Sequence, residues 1–168
     1  MKKETRRVDV GMIELGGQVM VSDPCYNNGV WCQGVVENVL PGKYQCWYIE
    51  SDEGNWGKRV AKLYAVHEDF PGAECDEETE FEVGVDSGQA GIYDKAYFDK
   101  TRRNEEWYEK VCHLTYQDVD DEGRRIRGGT LDGKCAVSSS GYGDGGYACF
   151  TSTNSDGEVV GIMIDYGL

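Results

Sequence analysis

The chain has 168 residues, 29% charged and 39% hydrophobic, the balance of one folded domain and too apolar for a disordered chain. Its 31 acidic and 17 basic residues leave a net charge of −14, which disfavours direct nucleic-acid binding because phosphates are held by lysine and arginine. No apolar run reaches the roughly 18 residues of a membrane span, and no apolar stretch follows the basic MKKETRRVDV start, so a cytoplasmic chain with no membrane contact is expected.

Residues 1–7 read as a candidate disordered arm. VGMIELGGQVMVSDPCY predicts two short strands around Gly16–Gly17 and then a turn at Asp23–Pro24. GVVENVLPGKYQCWYIE predicts a hairpin, with Pro41–Gly42 as the central pair of a type II turn. GKRVAKLYAVHE alternates as a strand. So does FEVGV, with Phe81, Val83 and Val85 on one face. A helical stretch follows over 94–114, with Asp94 and Asn104 as candidate N-caps. Its stripe of Trp107, Tyr108, Val111 and Leu114 is expected to pack on a sheet rather than hold a ligand. QDVDDEGRRIRGG reads as a polar loop. The remainder predicts a three-stranded meander at about 135–138, 147–153 and 158–165, with Asp156–Gly157 as its second turn. The sum is a mainly β fold. Residues 1–168 form a single domain, an antiparallel β-sandwich or barrel-like structure. One or two α-helices (about 94–114) are inserted within a helical and loop segment spanning 94–134.

Seven cysteines at irregular spacing predict reduced thiols. Cys25 and Cys32 have no second close pair, and His67 and His113 are remote, which argues against a zinc ribbon. Residues 67–86 carry nine acidic side chains and no lysine or arginine. A solvated acidic loop is the plainer reading, and a surface for a basic protein partner is the sharper one.

The segment SSSGYGDGGY (138–147) concentrates glycine. Gly141, Gly143 and Gly146 match the spacing G-x-G-x-x-G, but a strand follows where a dinucleotide fingerprint requires a helix. Too little chain remains for a kinase. What survives is a backbone able to approach a ligand closely, with Asp144 at the tip favouring a cation. SDPCY and DSGQAG also place an aspartate just past a strand. If these loops share an edge, Asp23, Asp86 and Asp144 form a candidate metal set, with Ca2+ or Mg2+ as the oxygen-seeking cation. Simple Asx-turns are the plainer alternative.

Together, SDPCY, LPGKY, WGKRVAKL, VDSGQAGIYD, SSSGYGDGGY and GEVVGIMIDY resemble an uncharacterised domain family of bacteria and their phages, over about residues 18–166. The resemblance implies one complete domain and no assigned activity.

The expected function is non-catalytic binding of a small polar or nucleotide-like ligand. Asp23, Asp86, Ser87, Gln89, Gly141, Gly143, Asp144 and Gly146 would hold it. Tyr26, Tyr142 and Tyr147 would stack on or cap it, and Arg124, Arg125 and Arg127 would meet a phosphate. In a phage, such a protein would serve to sequester a host immune signal. Two alternatives stand beside it: a metal-dependent phosphodiester hydrolase using the three aspartates, and an acidic inhibitor that mimics nucleic acid through 67–86. Cys25 as a nucleophile, or a Ser87–His67–Asp23 triad, finds no support in the spacing. A homo-oligomer is compatible with this composition.

Overall fold

The structure, a computed structural model, describes residues 2–101 and 104–168. The chain runs β1 (Thr5–Leu15), β2 (Val19–Ser22), β3 (Gly34–Val36), β4 (Gly42–Asp52), β5 (Lys58–His67), β6 (Glu77–Val85), β7 (Gln89–Asp94), α1 (Lys95–Lys100), α2 (Glu105–Cys112), β8 (Gly128–Leu131), β9 (Cys135–Ser139), β10 (Gly145–Thr153) and β11 (Val159–Asp165). A π-helical turn, His113–Gln117, extends α2. The strands form two antiparallel sheets, ordered β1-β4-β5-β11-β10-β6 and β3-β2-β7-β9-β8. The mainly β, sandwich-like expectation holds. β1 begins at Thr5, opposite Ser51, so strand structure reaches into the segment expected to be loose.

Alternation places the core. In β4, Tyr44, Cys46 and Tyr48 face inward; in β11, Ile162 and Ile164 do the same. Val19 and Val21, Ala90 and Ile92, and Ala136 meet them from the second sheet. The second sheet is buried on both faces. Its outer side, with Met20, Tyr93, Cys135 and Val137, packs against Phe98, Trp107 and Val111 of the helices. Both helices start where expected. The Asp94 carboxylate accepts Tyr97 N–H, and the Asn104 side chain accepts Trp107 N–H at 3.0 Å.

Two connections differ from expectation. Pro41–Gly42 does not close a hairpin, because β3 pairs with β2 in the second sheet while β4 pairs with β1 in the first. The C-terminal strands are not one meander either. β9 belongs to the second sheet and pairs with β8, a strand the polar-loop reading had not anticipated. Only β10 and β11 form the expected hairpin. Residues 140–144 therefore carry the chain from one sheet to the other, and so do residues 86–88.

At one side of the sandwich, edge strand β6 lies against edge strand β3. Phe81 covers Gly34 so closely that a Cβ there would sit 2.1 Å from the ring. Glycine at 34 is what lets this seam close. Elsewhere β6 exposes Glu77, Glu78, Glu80 and Glu82, and rows of charge on an open edge discourage pairing with another chain.

Candidate functional site

The three motif loops meet at one rim. Asp23, at the end of β2, is fully buried and acts as the clamp. Its Oδ1 accepts Cys25 N–H at 2.8 Å and Ser87 Oγ–H at 2.6 Å. Its Oδ2 accepts Asp86 N–H at 2.7 Å and Ser87 N–H at 2.8 Å. The glycine loop joins the same rim through Ser140 N–H, which donates to Gly88 carbonyl at 3.0 Å. Polar loop backbone at a sheet end must find partners, and here one carboxylate supplies most of them.

Above this clamp lies a cleft of about 460 Å³. One wall is the β2–β3 loop, with Tyr26, Trp31 and Cys32. The other is the end of β6 and the start of β10, with Glu82, Gly84, Val85, Asp86, Asp144, Gly145 and Gly146. Gly84 N–H donates to Cys32 carbonyl at 2.8 Å and so joins the walls at their base. Tyr26 donates its hydroxyl to the Asp86 carboxylate, which, with some desolvation, pushes the phenol well above its ordinary range. A Cβ on Gly146 would fall 1.6 Å from Glu82 Oε1, so the missing side chain at 146 makes room for that carboxylate.

The structure thus brings Tyr26, Asp86, Asp144 and Gly146 to one cleft and places other expected residues elsewhere. Asp23 lies beneath it with both oxygens engaged, and Ser87 is held by Asp23. Gln89 is buried, bonding Ser87, Tyr108 and Thr115. Among the described residues no group of three or more His, Cys, Asp or Glu side chains is arranged to hold a metal ion. The expected set of Asp23, Asp86 and Asp144 is not assembled, because Asp23 is committed to backbone N–H groups. Arg124 pairs with Asp120 and Glu122, and Arg127 with the buried Glu50; neither lines the cleft, nor does Arg125. Gly141 and Gly143 shape the loop, and Tyr147 braces it by donating to Gly143 carbonyl at 2.6 Å.

Tyr142 points away to a different cluster. Its hydroxyl donates to Glu53 Oε1 at 2.8 Å, and its ring lies under the Arg59 guanidinium. Hydrogen bonds from Ser51, then Lys3 and then Tyr142, hold Glu53 down at about 2. The depressed value means that ionised Glu53 favours the folded chain. Its contribution is present above the ordinary carboxyl range and is lost as pH falls towards about 2. A carboxyl-carbon NMR titration should find Glu53 near that value, and Tyr142→Phe should move it upward.

The catalytic alternatives gain nothing. The Cys25 thiol is pushed up to about 12, first by desolvation and then by Asp23, so it stays protonated at neutral pH. His67 contacts Pro41 carbonyl and Asp69 N–H, and His113 contacts Asp118. Among the described residues neither imidazole is hydrogen-bonded to Cys25 or Ser87. All seven cysteines are free.

Residues 64–164 match a family described as protein of unknown function (DUF4241). The chain belongs to the DUF4241 family. An uncharacterised family is what the sequence resemblance implied. No curated protein and no solved structure matches the chain. The DUF4241 segment contributes Glu82, Asp86 and the glycine loop to the cleft, whereas Tyr26 and Trp31 precede it. Trp31 and Glu82 were not expected at the site. The signal for Trp31 was a lone indole in NNGVWCQG, a loop with little else apolar.

Proposed function

We propose that the chain is a non-catalytic binding domain that holds a small polar ligand in the cleft between the β2–β3 loop and the β6–β10 edge. One observation carries this reading. Three segments far apart in sequence are hydrogen-bonded into one rim, and the cleft above them is flanked by an indole with 90% of its surface exposed. An aromatic face beside a cavity with a few convergent polar groups is the composition of a small-ligand site. A hydrolase has less support, since Asp23 is already engaged and the thiol at Cys25 is held protonated. Sequestration of a host signal by a phage-borne copy would use the same cleft.

The test is an amide NMR titration with AMP, glucose, L-arginine and spermidine, each recovered afterwards and weighed by mass spectrometry. At least one probe should shift Gly84, Gly145, Gly146 and the Trp31 indole together, and should return unchanged. No response at these positions, or conversion of the probe to a product, would overturn the reading.

The exposed glutamates of β6 favour a second reading, an acidic surface for a basic protein partner. That partner's binding would weaken with salt and with Glu77→Gln and Glu78→Gln, and would be indifferent to Trp31→Ala.

A further inference from the structure

We infer that the cleft takes an organic cation, a guanidinium or an alkylammonium group, with its charge among Glu82, Asp86 and Asp144 and its stem against Trp31. The inference rests on the binding reading above and names its ligand class.

Three carboxylates line the cleft, and no lysine or arginine among the described residues lines it. The ion pairs of the described residues lie elsewhere and engage Glu14, Glu50, Glu53, Asp9, Asp99, Asp118, Asp120 and Glu122. Among the described residues the carboxylates of the cleft thus have no cation of their own. Three like charges around one cavity favour a bound positive charge over an anion.

Two further observations narrow the class. The three carboxylates do not form a cluster that could chelate a bare metal ion. They are spread around about 460 Å³, a space suited to a larger cation whose charge is delocalised or reached by several hydrogen bonds. The second is aromatic. Trp31 stands 90% exposed, and Tyr26 is oriented by its hydrogen bond to Asp86. An indole face attracts cations and covers methylene stems, whereas an anion would meet both that face and the carboxylates with the wrong sign. The space a side chain would need at Gly146 is taken by the Glu82 carboxylate, and at Gly84 by Cys32, so these glycines let the carboxylate and the opposite wall close on the cleft.

The same charged group can arrive as a free small molecule or as a side chain of a protein partner. The experiment separates these. The full chain, labelled with 15N, is titrated with agmatine and with a capped Gly-Arg-Gly tripeptide. The controls are a capped Gly-citrulline-Gly tripeptide, neutral and nearly isosteric, and AMP.

Saturable shifts of Gly84, Gly145, Gly146 and the Trp31 indole are expected with the cations and not with the controls. Tighter binding of agmatine would indicate a free ligand, and tighter binding of the tripeptide a protein side chain. Asp144→Asn, Glu82→Gln and Trp31→Ala should each weaken binding about fivefold. All three alter exposed groups, so the melting temperature should stay near that of the unaltered chain, which separates lost binding from lost folding. Gly146→Ala, which displaces the Glu82 carboxylate, should act in the same direction. Equal or stronger response to citrulline peptide or AMP would overturn the cation assignment and leave the binding reading standing. Silence at these positions with every probe would overturn both.

Discussion

Replacing Asp23 with alanine should lower the unfolding free energy by about 3–5 kcal/mol, the cost of removing one fully buried charged acceptor from four donors. Alanine would strand three backbone N–H groups and the Ser87 hydroxyl at a position that water does not reach. For a domain of this size the melting temperature should drop by about 10 °C. Asparagine keeps one carbonyl oxygen but turns an amide N–H2 towards donors, so Asp23→Asn should fall between. Urea unfolding gives the free energies, and hydrogen exchange at 86–88 reports whether the rim has opened. A loss under about 1 kcal/mol would mean that the loops find other partners and that Asp23 is not their clamp.

The second large effect concerns Gln89. Alanine there should cost about 2–4 kcal/mol, since three hydrogen bonds of a buried amide are lost at about 1 kcal/mol each, while Ser87 and Thr115 keep Asp23 and the Val111 carbonyl as partners. Its Nε2 donates to Ser87 Oγ at 3.3 Å and to the Tyr108 hydroxyl at 3.2 Å, and its Oε1 accepts the Thr115 hydroxyl at 2.7 Å. One side chain thus ties the β6–β7 connection to α2 and to its π-helical extension. Exchange should accelerate over 105–117 with little change in β4, β5 and β11, whose contacts are independent of it. Uniform acceleration in both sheets would show instead that the helices and the sandwich unfold as one unit.

The strands that bury one face were legible because alternation survives in them. GKRVAKLYAVHE and FEVGV became β5 and the end of β6; of the residues expected on one face of β6, Val83 and Val85 are buried and Phe81 is half-buried against the core. The second sheet was harder. In β2, β7 and β9 nearly every residue is buried, since helices cover the face opposite the core, and such strands lose the period-two pattern. Turn chemistry misled for a related reason. Pro41–Gly42 satisfies a tight turn, and Ser138–Tyr147 has the glycines of a hairpin, yet both carry the chain between sheets. A turn signal fixes where the chain bends and says nothing of which sheet it bends into.

The candidate site was legible as loops and not as roles. DPCY, DSGQAG and GYGDGGY do lie side by side, but Asp23 turned out to face inward, and its four partners come from two loops that no local spacing connects. Arg124 and Arg127 have local or buried acidic partners and lie outside the cleft. Trp31 and Glu82 entered only when the fold folded one sheet edge over the other.

The two walls of the cleft differ in what they owe to the rest of the molecule. Glu82, Asp86 and Asp144 stand on strands and crossovers that the sandwich cannot do without. Trp31 sits on a loop anchored at Asp23 and at the Cys32 carbonyl, with its own ring in solvent. Tolerance to substitution should follow that division: selectivity can drift through the loop at little thermodynamic penalty, while the acidic wall stays bound to the architecture that supports it.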